Sequence, residues 1–281
     1  MVAFITPEVR SGESGLSPVP SRAALALRDL REGLNRSWFW SALAIQDIRL
    51  RYRGSALGPI WLTLSTAIMI AAMGTIYCRL FNVDVATYLP YVAAGLVIWQ
   101  FISNLIMDGC NTFVAVQSLI QQVRIPYSAH ACRVVARNVI IFAHNLVIIP
   151  IVFLLFPPDI NWRLALFPLG LLVVIVNGIW ICTLFGMVAA RFRDVPPIVA
   201  SFIQVVFFVT PIFWPVSAIG SFQAYAELNP LFAAIDIMRS PLLGLPPAPY
   251  SWTIVGAVTI LGCSGTFLLF ARFRSRIAFW V

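Results

Sequence analysis

The chain has 281 residues, of which 60% are hydrophobic and 11% are charged, and its mean hydropathy is +0.89. This balance excludes a soluble globular domain and indicates an integral membrane protein. All 19 cationic side chains are arginine. Without lysine the chain cannot form the GxxxxGK[ST] loop that holds ATP phosphates, so an ATP-driven role requires a separate ATPase subunit.

The net charge of +8 would suggest nucleic acid in a soluble chain, but here the arginines flank apolar segments, and no nucleic-acid partner is expected. The five cysteines lie singly without a CxxC pair, which favours buried thiols over a metal site. Residues 1–20 have no apolar core and predict a disordered cytosolic tail without a signal peptide.

Residues 21–57 predict amphipathic helices at the cytosolic face, before the first apolar segment. Their last part belongs to the stretch DIRLRYRGSALGPIW at 47–61, where an arginine-rich helix leads into lipid. Trp40, Ala44, Ile48 and Tyr52 share one helical line, which is typical of a helix lying in the membrane interface. The alternative is a basic collar of the kind found in any membrane protein.

Six apolar segments predict transmembrane helices, because each approaches the length that crosses a hydrocarbon core of roughly 30 Å. They are 58–80, 88–110, 134–156, 164–190, 196–219 and 251–271. Between the second and third, residues 112–126 predict a short cytosolic helix. The expected fold is therefore an all-α, polytopic membrane domain over 58–271, followed by a cytosolic tail at 272–281.

Residues 222–247 predict a re-entrant hairpin on the outer side. Their apolar core is the short run 231–238, and Asn229-Pro230 and Ser240-Pro241 interrupt the helix. Six crossings with both termini inside place 16 arginines on the cytosolic side and three outside, which agrees with the positive-inside rule.

Several polar residues in the spans have two possible roles. A line of residues in the first span could form a channel wall or pack against another helix. Asp108 could cap or snorkel, or it could face a functional cavity. Arg133 and Arg137 can snorkel to the inner face, and His144 and Asn145 favour hydrogen bonds between helices over a ligand site.

Five segments together resemble the permease subunits of type-2 ABC exporters for polysaccharides and polyol phosphates, most closely those for O-antigen. They are DIRLRYRGSALGPIW at 47–61, SLIQQVRIPY at 118–127, ARFRDV at 190–195, TPIFWP at 210–215 and LNPLFAAIDIMRSPLLG at 228–244. The resemblance implies a homodimer in the bacterial inner membrane with two ABC ATPase subunits at the cytosolic face. Those subunits would bind ATP and Mg, this chain would bind no cofactor, and the cargo would be a glycan on a polyprenyl diphosphate lipid.

The resemblance also assigns residues to three roles. ATPase coupling is implied for Asp47, Arg49, Arg51, Tyr52 and Arg53 on the interface helix and for Gln117, Gln121, Arg124 and Tyr127 on the cytosolic helix. A substrate channel is implied for Trp61, Ser65, Met69, Met73, Tyr77, Phe207, Phe208 and Trp214. The re-entrant pore exit comprises Asn229, Pro230, Arg239 and Ser240. Arg239 could meet phosphate or acidic sugars there, or it could pair with Asp236 three residues earlier.

Other functions fit the sequence less well. A capsular polysaccharide or teichoic-acid exporter and a small-molecule or drug exporter would have the same spans. A membrane-embedded glycosyltransferase would need paired carboxylates or a metal cluster, whereas the acids here are single and spread over both sides, so we expect no catalytic residues. A proton- or sodium-driven carrier would need mid-membrane acids or two broken helices.

Overall fold

The computed structural model describes residues 21–55, 58, 60–216, 220 and 223–281. The predicted tail at 1–20 lies outside this range. Within it the regular structure is entirely helical, as the sequence predicts. The helices are α1 (Arg22–Asn35), α2 (Ser37–Arg51), α3 (Ile60–Leu80), α4 (Val85–Cys110), α5 (Gln117–Gln122), α6 (Tyr127–Leu146), α7 (Ile148–Leu155), α8 (Phe167–Arg191), α9 (Val195–Val209), α10 (Gln223–Glu227), α11 (Pro230–Leu242), α12 (Pro249–Phe273) and α13 (Ile277–Trp280).

Five helical segments of the described chain are long and apolar enough to cross a membrane. They are Ile60–Leu80, Val85–Cys110, Tyr127–Leu155, Trp162–Arg191 and Pro249–Trp280. Within the described part of the predicted span 196–219, the α-helix is α9, whose 15 residues are shorter than a full crossing. The helix ends there because Pro211 has no backbone N–H and holds Thr210 in an extended conformation, with ψ of 135°.

Helix α4 is the centre of the bundle. Two thirds of its most apolar stretch is buried (67%), against 17% for α3 and for α12. It packs against α3, α6, α8, α9 and α11. Small residues at 93–95, all buried, let the neighbouring backbones approach it closely. In contrast, α3 leaves most of its surface open to lipid or to another chain.

The connections gather at two ends of the bundle. At one end, called the basic end below, lie α1, α5, the start of α6 and the C-terminal residue Val281. At the opposite end, Asn161 donates to the carbonyl of Gly244 at 2.7 Å, joining the α7–α8 connection to the residues after α11. Also at the opposite end, the Tyr88 hydroxyl donates to the Phe213 carbonyl, beside the bend that follows α9.

Helix α11 is short and buried between α4, α8 and α12. Its 13 residues span about 20 Å, which is less than a bilayer core. Asp236 holds the C-terminal part of α11 in place. Its carboxylate accepts from the Ser240 hydroxyl (2.5 Å), the Ser251 hydroxyl (2.7 Å) and the Ala248 N–H (3.0 Å). These bonds join α11 to the start of α12.

We predict that Gly170→Ala on α8 disrupts this packing. A Cβ at position 170 would lie 2.7 Å from the carbonyl oxygen of Ile237 on α11, and backbone atoms cannot move away as a side-chain tip can. The expected cost in folding free energy is about 1–3 kcal/mol. Gly256→Ala on α12 is the matched control, because a Cβ there would meet no atom within 4 Å. Thermal unfolding in detergent should show a lower Tm for Gly170→Ala alone, and equal values would contradict the packing.

Candidate coupling site

Asp29 of α1 caps the first turn of α6 from outside that helix. Its side chain has no exposed surface and accepts from the backbone N–H groups of Ser128 (3.0 Å) and Tyr127 (3.2 Å) and from the Ser128 hydroxyl (2.9 Å). Helix α6 has no side-chain cap of its own, so these N–H groups would otherwise lack partners. The carboxylate also meets the positive end of the helix dipole, which makes α1 and α6 one unit at the basic end.

The C-terminal segment joins the same place. Arg274 donates to Asp29 through Nε at 2.8 Å, and its guanidinium lies 5.9 Å from the centre of the Tyr127 ring. The amide nitrogen of Gln121 on α5 donates to the carbonyl of Val281 at 3.2 Å. The short helix α5 is therefore joined to α13 and to Val281 at the end of that helix.

A second polar cluster joins α2 to α6. The carboxylate of Asp47 accepts two hydrogen bonds from the guanidinium of Arg133, one of them at 2.7 Å, and a third from Arg137 at 3.2 Å. The three side chains are only 12–17% exposed. Bidentate pairing of this kind fixes geometry as well as charge.

The cluster continues from α6 to α4. Arg137 pairs with Asp108 at 2.8 Å, Asn138 donates to the same carboxylate at 3.0 Å, and Arg51 reaches it at 3.8 Å. Asp108 therefore faces an ion-pair cluster inside the protein, and the two arginines expected to snorkel are bound to acids. The ion pairs therefore link α2, α4 and α6, and α6 carries members of both polar clusters.

The residues predicted for coupling fall into two groups. Asp47 and Arg51 belong to the ion-pair cluster, whereas Arg49 and Arg53 are exposed and Tyr52 is partly exposed. On the α5 side, Gln117, Gln121 and Arg124 are exposed, and Tyr127 packs edge-to-face on Phe113 and Phe270. The expected cytosolic helix over 112–126 is a 3-10 turn followed by the six-residue α5. The exposed part forms a projecting surface at the basic end.

The predicted channel residues are only partly brought together. Tyr77 and Phe207 both pack on Phe213, with ring centres 5.1 and 5.5 Å away, and Trp214 donates to the carbonyl of Phe208. Phe208 is 63% exposed. Farther along α3, Trp61, Ser65 and Met69 are exposed and Met73 is partly buried. The hydrogen bond expected between helices is found at Asn145, which accepts from Thr63 at 3.1 Å. His144 instead contacts the Ile140 carbonyl of its own helix at 2.7 Å.

Two expectations for Arg239 are wrong in the folded chain. Arg239 is 3% exposed, so it is not displayed at the outer mouth, and it does not pair with Asp236. Its guanidinium donates to the Pro211 carbonyl at 3.0 Å and lies 4.1 Å from the Tyr91 ring centre, whereas Asp236 accepts from Ser240, Ala248 and Ser251. Of the other exit residues, Asn229 caps α11 and donates to Thr210, Pro230 is exposed at the first turn, and Ser240 is buried.

Asp29, Ser128, Arg133 and Arg137 are functional candidates that the sequence did not single out for coupling. Asp29 lies among the arginines of α1, and no local pattern connects it to residues 98 positions away. The spacing of Arg133 and Arg137 was a signal, since two arginines one turn apart at the start of a span require either water or acids.

These features define a polytopic helical membrane protein with a projecting helix and two polar clusters at one end. Residues 39–243 match the family described as ABC-2 type transporter, and the chain belongs to this family as a transporter permease subunit. The chain is 25% identical over 203 residues to the O-antigen export system permease protein RfbA of Myxococcus xanthus, covering 71% of this chain and 76% of that protein. It is 22% identical over 193 residues to the protein of the same name from Klebsiella pneumoniae, covering 68% and 74%.

Proposed function

We propose that the chain is the membrane-spanning subunit of an ATP-driven exporter for a polyprenyl-diphosphate-linked polysaccharide of the O-antigen type. Cargo would move from the cytosolic to the outer face of the bacterial inner membrane. The observation that carries the proposal is the similarity to O-antigen export permeases over about three quarters of those proteins. Two ABC ATPase subunits hydrolyse ATP, and this chain transmits their motion.

The basic end is the cytosolic end in this proposal, and α5 receives the ATPase. The exposed side chains of Gln117 and Arg124 supply polar contacts to that subunit. Motion of α5 reaches α6 through the short connection at 123–126, and the Asp29 cap and the Asp47–Arg133 pair join α6 to α1 and α2. Because helices that are joined to one another move as rigid bodies, a displacement of α5 shifts α6 and α2 together.

The channel forms between two copies of the chain. Helices α3 and α9 each bury little surface within one chain, and both carry exposed aromatic side chains, such as Trp61 and Phe208. Aromatic faces contact sugar rings without reading one sequence of sugars, which suits a sliding polymer. A homodimer that pairs these faces encloses the glycan path and covers the open side of α3.

We predict that the α10–α11 segment enters and leaves the membrane on the outer side. In a cysteine-free background, Leu245→Cys should react with an impermeant thiol reagent in intact cells, because Leu245 is 55% exposed at the end opposite α5. Ser275→Cys should react only after the cells are opened. Labelling of Leu245→Cys only after the cells are opened would make the segment a crossing and would contradict the hairpin and the six-crossing topology.

The cellular test is deletion of the gene in the bacterium of origin. The proposal predicts loss of surface O-antigen and accumulation of lipid-linked glycan inside, with recovery when the chain is supplied again. Loss of capsule or of a teichoic acid would assign the chain to those exporters instead. Normal surface glycans together with sensitivity to small toxic compounds would favour a drug exporter.

A further inference from the structure

A cavity of about 250 Å³ opens at the basic end between the start of α1 and the end of α12. It is lined by Arg22, Arg272, Phe273, Ser275 and Arg276. Three guanidinium groups and one hydroxyl are all hydrogen-bond donors, so the lining offers donors to a compact anion. The cavity is separate from the Asp47 cluster and from the exposed surface of α5.

The three arginines have no acidic partner among the residues that the structure describes. The two acids of α1 are already engaged: Asp29 accepts from Arg274, and Glu32 accepts from Arg28 at 2.6 Å. The hydrogen bond from Arg28 lowers the pKa of Glu32, which keeps that carboxylate ionised and paired. The cavity therefore carries three positive charges that no described carboxylate neutralises.

The aromatic ring of Phe273 positions two of these charges. The guanidinium groups of Arg272 and Arg276 lie 5.6 and 6.0 Å from its ring centre. Cation–π contacts of this kind hold the side chains near the cavity while leaving their N–H groups free to donate. Arginine suits a phosphate group especially well, because its planar fork of donors matches phosphate oxygens.

Apolar side chains surround this end of the molecule as well. Leu27 is 61% exposed, Trp38 is 73% exposed, and Phe279, three residues after Arg276, is 86% exposed. Such side chains belong in the acyl layer just below lipid headgroups. A charged cavity beside apolar anchors at the end of membrane helices is the arrangement that binds an anionic lipid.

We propose that this cavity binds the phosphate headgroup of an anionic phospholipid in the membrane leaflet at the basic end. The lipid would join the first turn of α1 to the end of α12 and hold both against the bilayer. The inference goes beyond the proposed function and does not depend on the cargo. A free phosphate ion and a diphosphate lipid share the same chemistry, so the test must separate them from a phospholipid.

The test measures retention of phosphatidylglycerol by the full-length chain released from mixed phosphatidylglycerol and phosphatidylcholine nanodiscs, by native mass spectrometry. Arg272→Gln with Arg276→Gln should weaken retention about thirtyfold, the effect of two cations at an anionic surface. Arg22→Gln alone should weaken it about fivefold, which tests the cavity from the other helix. The matched control is Arg31→Gln with Arg36→Gln, two exposed arginines of the same end outside the cavity.

Retention that falls only in the cavity variants, and is absent for phosphatidylcholine, supports the site. Equal losses in the control variant would mean diffuse charge and would overturn it. Displacement of the lipid by millimolar inorganic phosphate would assign the cavity to free phosphate, and preferential binding of polyprenyl diphosphate would assign it to cargo. If every variant retains phosphatidylglycerol equally, and the cavity substitutions weaken only the binding of an ATPase subunit, the cavity is a protein contact and not a lipid site.

Discussion

Asp47→Ala is expected to abolish glycan export and to lower the thermal stability of the protein. Among the residues that the structure describes, Asp47 is the only acid that pairs with Arg133, and both side chains are more than 80% buried. Removing one partner of a buried pair leaves an uncompensated charge, which costs about 3 kcal/mol or more. With that pair lost, α2 still packs on α6 but loses its buried charged link to it, and we expect motion at α5 to be transmitted poorly to the interface helix. The measurements are the Tm in detergent and surface O-antigen in cells.

Asp84→Ala is the matched control for that variant. Asp84 is an exposed acid before α4 at the opposite end, and its side chain makes no capping hydrogen bond. It should leave both Tm and export near the wild-type values. If Asp47→Ala behaves like Asp84→Ala, the ion-pair cluster has no role in transmission.

Arg124→Glu is expected to uncouple ATP hydrolysis from export. Arg124 is exposed beside α5, and reversing its charge places a repulsive group at the proposed ATPase contact. Like-charge juxtaposition at an interface costs several kcal/mol, so export should fall about tenfold or more. The ATPase subunits should still hydrolyse ATP, because their own site is unchanged.

The control for this variant is Arg31→Glu, a charge reversal of an exposed arginine on α1. Export and ATPase activity are measured together in membranes that contain both subunits. A normal ratio of export to hydrolysis in Arg124→Glu would remove α5 from the coupling path. An equal loss in Arg31→Glu would indicate a general effect of charge at the basic end.

The fold was largely predictable because each span is a continuous apolar run, and most of the runs have arginines near one end. Four of the expected spans overlap long helices closely, and the last extends beyond its expected end into α13. The sequence predicted the position of the fifth span, 196–219, but not its C-terminal end, since the effect of Pro211 on α9 depends on where the chain turns. Local composition therefore determines which segments lie in lipid.

The polar clusters could not be predicted in the same way. Asp29 and Ser128 are 99 residues apart, and Asp47 and Arg133 are 86 apart, so their pairing follows from how α1, α2 and α6 pack. For Arg239, a local pairing was expected that the folded chain does not form. Its neighbour Asp236 stands at a favourable helical spacing, yet each side chain finds partners on other elements once α11 is buried.

The most direct test of the account is ATP-dependent translocation of lipid-linked glycan in inverted inner-membrane vesicles that contain this chain and its ATPase subunits. The account predicts that ATP moves the glycan into the vesicle lumen, where an added glycosidase cannot reach it. Vesicles with Asp47→Ala or without the chain should leave the glycan accessible. Protection of the glycan at the same rate without ATP, or without this chain, would contradict the central claim.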